Sequence, residues 1–271
     1  MNSISSFQIF AMIVNTTVCL CLLLIPATIV RRNRDANRRP FFWGMLCYII
    51  LGVAMKYIFI STLQDSFGSV TEHRFLNALL SGVSAALIID GGRFLVVRFL
   101  MRKYECQRDA LMFGAGYGGT EVFLFSGLTA FFGFTLANVI NNGHLSTLLD
   151  GLDANTASIL TSQIEKAYST SGWTFLVISI ECVITFVLEM CLSIMIYRAA
   201  RDKTAINCLW ISMGIHFAFA FIAQILSGVI PLLITELLLA AVCFAAYRFA
   251  VKTLPGIKED QDTDLFWDTL D

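Results

Sequence analysis

Apolar residues along this chain fall into long runs that alternate with shorter polar stretches. Each long run contains about 20 residues, the length that a helix needs to cross the hydrocarbon core of a bilayer. The pattern predicts spans at about 7–30, 41–61, 75–100, 110–138, 173–197, 205–227 and 229–250. The first run is too long for the core of a signal peptide and lacks a preceding basic stretch, so we expect a retained helix. The expected fold class is all-α, a polytopic bundle of about seven transmembrane helices.

Basic residues between the spans predict the orientation. The stretches "RRNRDANRR", "MRKYECQRD" and "RAARDK", and the region after the last span, are basic and fall on one side if there are seven spans. The loops 62–74 and 139–172 on the other side contain only Arg74 and Lys166 as basic residues. Because basic loops stay in the cytoplasm, we expect the N-terminus outside and the C-terminus inside.

Composition supports a protein that lies largely in lipid. Hydrophobic residues make up 57% of the chain and charged residues 14%, whereas soluble domains carry about 25% charged residues. The net charge of −1 does not indicate nucleic-acid binding. Most of the eight cysteines lie in apolar runs without Cys-x-x-Cys spacing, which argues against a disulfide framework. We expect one transmembrane domain over 1–252, with its core site within 80–225, and a cytoplasmic acidic tail over 253–271.

Ionisable residues inside the spans are the strongest functional signal, because charges at bilayer depth are costly and usually face the bundle interior. They are Lys56, Asp90, Arg93, Glu121, Glu181, Glu189, His216 and Glu236. A rise of about 1.5 Å per residue from the inner helix ends places four of them roughly 12–16 Å deep. These four are Asp90, Glu121, Glu189 and His216, and we predict that they meet near the bilayer midplane.

The remaining charges have simpler interpretations. Asp90 and Arg93 lie one turn apart and could neutralise each other. Lys56 and Glu181 both lie in the outer half of the membrane, and we hypothesise that they form a buried pair. Glu236 has no evident partner in the sequence.

The stretch "GAGYGGTE" (114–121) combines glycines with an acid inside the fourth span. Tyr117 and Glu121 are spaced i, i+4 and share one helix face. Gly114, Gly118 and Gly119 lack side chains, and small residues at i, i+4 allow close helix approach in membranes. We expect these glycines to bring a neighbouring helix up to Glu121.

Four stretches in order, with similar spacing, resemble a known family. They are "DGGRFLVVRFLMRKY" (90–104), "DALMFGAGYGGTEVFLFSG" (109–127), "IECVITFVLEMCLSIMIYRA" (180–199) and "ISMGIHFAFAFI" (211–222). This set resembles the YhfC-type membrane peptidases, which are similar to the CPBP/Abi intramembrane metalloproteases. In that group, glutamates and histidines from several helices surround a metal or a water. The resemblance implies a multi-pass protein of the bacterial plasma membrane.

This chain has some, but not all, of the residues found at the motif positions of that family. Four residues match: Arg93, Glu121, Glu181 and His216. Ile89 and Asp90 stand where the family has two glutamates, Tyr117 where it has histidine, and Cys182 where it has arginine. His216 is then the one midplane imidazole, so the candidate site has few nitrogen ligands.

The resemblance implies roles for these residues. Glu121 would activate water, with Tyr117 and Arg93 as further catalytic groups. His216, Glu121, Glu189 and Asp90 are the candidate ligands of a divalent metal. The family suggests zinc, whereas an oxygen-rich set suits Mg²⁺ or Mn²⁺ better, and a metal-free glutamate base is a further alternative.

Three functions follow from these observations. The first is an intramembrane metallopeptidase that cleaves transmembrane peptides. The second is a pseudoenzyme that has lost the chemistry and binds or scaffolds a partner membrane protein. The third is a small-solute or proton-coupled carrier, since buried acids with a histidine also suit proton relays. Membrane lipid is an expected contact in all three.

Overall fold

The computed structural model describes residues 3–67 and 73–259, without the side chains of 64–67, 146, 163 and 166–168. The described chain is 86% helical and contains no strands. Seven of its helices are long and apolar enough to cross a membrane. They are α1 (Ser6–Arg34), α2 (Arg39–Leu63), α3 (Arg74–Leu100), α4 (Gln107–Asn141), α5 (Gly172–Arg201), α6 (Lys203–Leu226) and α7 (Leu232–Gly256). The predicted all-α membrane bundle is confirmed, and residues 260–271 of the predicted acidic tail lie outside the described residues.

Local sequence explains where several of these helices begin. Ser5 caps α1, accepting from the Gln8 amide at 3.2 Å. Ser171 caps α5 by accepting from the Thr174 amide at 3.2 Å. Pro231 directly precedes α7. A capping side chain satisfies an amide at the first turn that has no partner within the helix.

The loop 139–172 contains further helical structure. Two short helices, Leu145–Leu149 and Ala154–Ser169, lie between α4 and α5. Asp153 accepts from the Thr156 amide at 3.0 Å in front of the second of these helices. The hydrogen bonds from Thr156 hold the pKa of the exposed Asp153 carboxyl below its usual range, since they favour the charged form.

Helix α5 lies at the centre of the bundle and packs against α1, α4, α6 and α7. The first half of α4 packs in addition against α1 and the start of α2, and α6 packs against α3. The ionisable residues of α3, α5 and α6 therefore face one another across the interior of the bundle.

The glycines of α4 allow three helices to approach it closely. A Cβ on Gly118 would lie 2.9 Å from the Glu189 Cβ of α5, and one on Gly119 would lie 2.7 Å from the Leu23 Cα of α1. A Cβ on Gly116 would collide with the backbone of Phe41 in α2. Gly114 likewise faces α5, where an added Cβ would lie 3.1 Å from the Ser193 Cβ. A side chain at Gly116, Gly118 or Gly119 would therefore push a neighbouring helix away from α4, and one at Gly114 would need a shift of a few tenths of an ångström.

Candidate functional site

A group of four charged or ionisable side chains lies in the interior where α3, α5 and α6 meet. We call it the ion cluster: Asp90, Arg93, Glu189 and His216. The Arg93 guanidinium lies between the two acids, with one amino nitrogen 2.6 Å from Asp90 Oδ1 and the other 2.6 Å from Glu189 Oε2. The accessible fraction is 0% for Asp90 and Arg93, 1% for Glu189 and 6% for His216. One cation thus bridges two carboxylates from different helices, out of contact with solvent or lipid.

His216 also contacts both acids. Its Nδ1 lies 2.8 Å from Asp90 Oδ1, and its Nε2 lies 3.4 Å from Glu189 Oε1. The Nδ1 contact is a hydrogen bond, whereas the longer Nε2 contact is an electrostatic approach. The imidazole therefore ties α6 to α3 directly and to α5 more loosely.

Asp90 is held by more hydrogen bonds than Glu189. Arg93 and His216 contact its Oδ1, and the Ser212 hydroxyl donates to its Oδ2 at 3.0 Å. The Arg93 contact to Glu189 Oε2 is short but does not have hydrogen-bond geometry, so that oxygen is held by charge attraction. Both Asp90 oxygens are thus already engaged by protein groups.

Local helix geometry contributes to this placement. Residues Ser84–Asp90 of α3 form a π-helical stretch, which ends at Asp90 and is followed by an α-helical turn containing Arg93. A π-helical stretch turns fewer degrees per residue than an α-helix, so it changes which residues share a face. The stretch therefore sets the direction in which Asp90 and Arg93 leave α3.

Tyr117 covers one side of the Arg93 guanidinium. The guanidinium carbon lies 4.1 Å from the centre of the Tyr117 ring, a cation–π arrangement. The Tyr48 ring packs edge-on against Tyr117 with ring centres 5.3 Å apart. The Tyr117 hydroxyl is buried and has no hydrogen-bond partner among the described residues. Tyr117 therefore contacts the cluster through its ring face.

Glu121 lies beside the ion cluster but is not bonded into it. It interacts electrostatically with Glu189, His216, Arg93 and Lys56. Its Oε2 is buried without a hydrogen-bond partner in the described part of the chain. The residue as a whole is only half-buried. Of the four residues expected at one depth, His216 contacts both Asp90 and Glu189, which Arg93 bridges, and Glu121 is a neighbour.

The hypothesis of a buried Lys56–Glu181 pair is wrong, because no ion pair joins these two residues in the described structure. The electrostatic interaction of Lys56 is with Glu121. Glu181 lies close enough to Glu236 of α7 for the two acids to repel each other; Glu236 is 2% exposed, and its Oε2 has no hydrogen-bond partner among the described side chains. Glu181 and Glu236 thus form a second group of acidic side chains within the bundle, in addition to the ion cluster. The error arose because depth along two helices does not specify which faces meet.

The residues present do not fit a metal ion in this arrangement. Within residues 3–67 and 73–259, no group of three His, Cys, Asp or Glu side chains is placed to hold one. The physical reason is that the Arg93 guanidinium lies between the carboxylates of Asp90 and Glu189, where a bridging cation would lie. A metal there would have to displace a buried arginine, and Tyr117 is a poor replacement for a neutral nitrogen ligand.

Two serines belong to the site but were not predicted. Ser212 donates to Asp90, and the Ser193 hydroxyl lies 3.4 Å from an Arg93 amino nitrogen. Each is spaced i, i+4 from a residue of the ion cluster, Ser212 from His216 and Ser193 from Glu189. That spacing places both pairs on shared helix faces and could have identified them.

Comparison with known proteins agrees with the predicted resemblance. The family model described as YhfC intramembrane metalloprotease matches residues 10–243. The "Uncharacterized membrane protein YhfC" of Bacillus subtilis (strain 168) is 24% identical over 192 residues, covering 70% of this chain and 73% of that protein. No solved structure gives a significant match. The family match spans most of the chain and includes every residue of the ion cluster, so this protein belongs to the YhfC intramembrane metalloprotease family.

Proposed function

We propose that this chain is a catalytically degenerate member of its family, which binds a transmembrane segment of a partner membrane protein instead of hydrolysing peptides with a metal. The observation that carries this proposal is the Tyr117 ring stacked on Arg93 where the resemblance places a histidine, with Arg93 itself 2.6 Å from an oxygen of Asp90 and of Glu189. These acids are candidate metal ligands, and here they neutralise an internal cation. The ion cluster then holds α3, α5 and α6 together.

The substitution at position 117 supports the same proposal. The family resemblance places a histidine there, and this chain has a tyrosine whose ring stacks on Arg93. A ring stacked on a guanidinium stabilises the cation in a dry interior, where such contacts contribute about 2 kcal/mol. Tyr117 therefore favours arginine over a metal ion at this position.

Glu121 supports the binding of a partner helix. It is half-buried on a membrane-spanning helix, and one oxygen has no hydrogen-bond partner in the described structure. Its neighbour one turn on, Phe125, is 79% exposed. A carboxyl oxygen without a hydrogen-bond partner is costly at bilayer depth, so a hydrogen-bond donor that a docked transmembrane helix brought up to Glu121 would be favourable. The same free carboxyl supports a second candidate function, metal-independent hydrolysis with Glu121 as general base.

Site-specific photocrosslinking in cells tests the binding proposal. A photoreactive residue at Phe125 should capture one discrete membrane protein, and Glu121→Leu should abolish the crosslink. The control position is Phe244, which is 62% exposed on α7; it should crosslink lipid only. Capture that is equal at both positions, or unchanged by Glu121→Leu, would contradict the proposal.

A cleavage assay separates the two candidates. Purified protein in proteoliposomes should leave a panel of fluorogenic transmembrane peptides intact, with or without added zinc. Cleavage that is lost in Glu121→Gln and retained with chelator would establish the second candidate. Cleavage that requires metal would refute the degenerate assignment.

A further inference from the structure

A cavity of about 520 Å³ lies on the basic side of the bundle, among the ends of α1, α2, α3 and α4. Its charged lining consists of Arg31, Arg38, Lys103, Arg108, Asp35 and Asp109. Four cations against two anions leave the cavity positively charged. It is separate from the ion cluster, and it has no part in the function proposed above.

Four basic side chains favour an anion in the cavity. Helices α2 and α4 begin beside it, but their ends do not supply the ligands, because the Arg39 amide donates to Asn37 Oδ1 and the Cys106 amide donates to Asp109 Oδ2. Arginine and lysine side chains are common ligands of phosphate groups.

The position of the cavity relative to the spans indicates where that anion comes from. Its lining residues lie where α1 and α3 end and α2 and α4 begin. The apolar runs end at about residues 30 and 100 and begin at about 41 and 110, next to the lining residues, so the cavity lies just outside the hydrocarbon, at the level of lipid phosphates. The helix ends beside the cavity carry exposed apolar side chains: Phe42 of α2 is 60% exposed, and Phe99 and Leu100 of α3 are 51% and 60% exposed.

We propose that this cavity binds the phosphate of an anionic phospholipid headgroup, whose acyl chains lie on the exposed apolar faces of α2 and α3. Arg38 and Lys103 are the main ligands. Both side chains are exposed, and neither takes part in a hydrogen bond or ion pair within the described residues. The acyl-chain surface beside the cavity favours a lipid over free phosphate, which would gain nothing from it.

The test measures lipids retained by the full-length protein. Wild type is reconstituted with equal amounts of phosphatidylglycerol and phosphatidylcholine, extracted in mild detergent, and analysed by native mass spectrometry. The cavity variant is Arg38→Gln/Lys103→Gln. The matched control is Arg32→Gln/Arg102→Gln, which removes the same charge from the last turn of α1 and from the α3–α4 loop, at positions that do not line the cavity.

We expect wild type and control to retain phosphatidylglycerol selectively. The cavity variant should bind it roughly 30-fold more weakly, since each basic group near a lipid surface contributes about fivefold. Thermal unfolding checks that both variants are folded, and the single Lys103→Gln variant replaces the double variant if it is not. Equal retention by cavity and control variants would overturn the proposal. Displacement of the lipid by millimolar inorganic phosphate would also overturn it, because the site would then be one for the free anion.

Discussion

Removal of the Arg93 guanidinium tests the ion cluster most severely. In Arg93→Met, the carboxylates of Asp90 and Glu189 each lose a cation at 2.6 Å while staying buried. Removing one partner of a buried ion pair costs about 3–5 kcal/mol, because the remaining charge is uncompensated. Since two acids lose the same partner, we expect the free energy of unfolding to fall by an amount at the upper end of this range. For a domain of this size that corresponds to a fall in Tm of roughly 10 °C or more.

The assay is thermal and denaturant unfolding of the purified protein in detergent. The matched control is Arg98→Met on the same helix. Arg98 is half-buried and donates to the Ala200 carbonyl at 3.2 Å, so its removal should lower the free energy of unfolding by about 1 kcal/mol. The variant Asp90→Asn/Arg93→Met/Glu189→Gln removes the charges together and should recover much of the loss. An Arg93→Met variant as stable as the Arg98→Met control would show that Arg93 does not neutralise these two buried acids.

Three further substitutions test individual contacts by the same unfolding assay. Gly118→Ala places a methyl group 2.9 Å from the Glu189 Cβ and should lower the free energy of unfolding by about 1–3 kcal/mol. Its control, Gly91→Ala, has no atom within 4 Å of the added methyl group and should be neutral or stabilising. Equal effects of the two substitutions would contradict the close approach of α4 and α5. Tyr117→Phe should change the free energy of unfolding by less than about 1 kcal/mol, because the ring remains. Tyr117→Leu should lower it by about 2 kcal/mol, because the cation–π contact with Arg93 is lost. A larger loss in Tyr117→Phe than in Tyr117→Leu would show that the hydroxyl matters more than the ring. Ser212→Ala should cost about 1.5–3 kcal/mol by removing a hydrogen bond to the Asp90 carboxylate, and no loss would mean that this bond is absent.

The sequence predicted the number of spans because apolar runs of this length have few alternatives to membrane helices. Their ends were less accurate. The fourth span was expected at 110–138, and α4 runs from Gln107 to Asn141. Hydrogen bonding and capping continue a helix beyond the hydrocarbon, so hydropathy marks the lipid-facing part of a helix and not its ends.

The contacts of the site were predictable in part. Depth along each helix correctly suggested that Asp90, Glu189 and His216 lie at similar levels. It could not show that Arg93 lies between the two acids, because that depends on the rotation of α3 and α5 about their axes. The π-helical stretch that ends at Asp90 alters this rotation. The pattern of apolar residues in the sequence does not predict such a stretch.

Arg93 is the cation that neutralises Asp90 and Glu189 in this site. The most direct measurement is the metal content of purified full-length protein, by inductively coupled plasma mass spectrometry after equilibration with zinc, magnesium and manganese and gel filtration. We expect well below one ion per chain for wild type, with no change in Glu189→Gln or His216→Ala. One tightly bound ion per wild-type chain, lost in both variants, would contradict it.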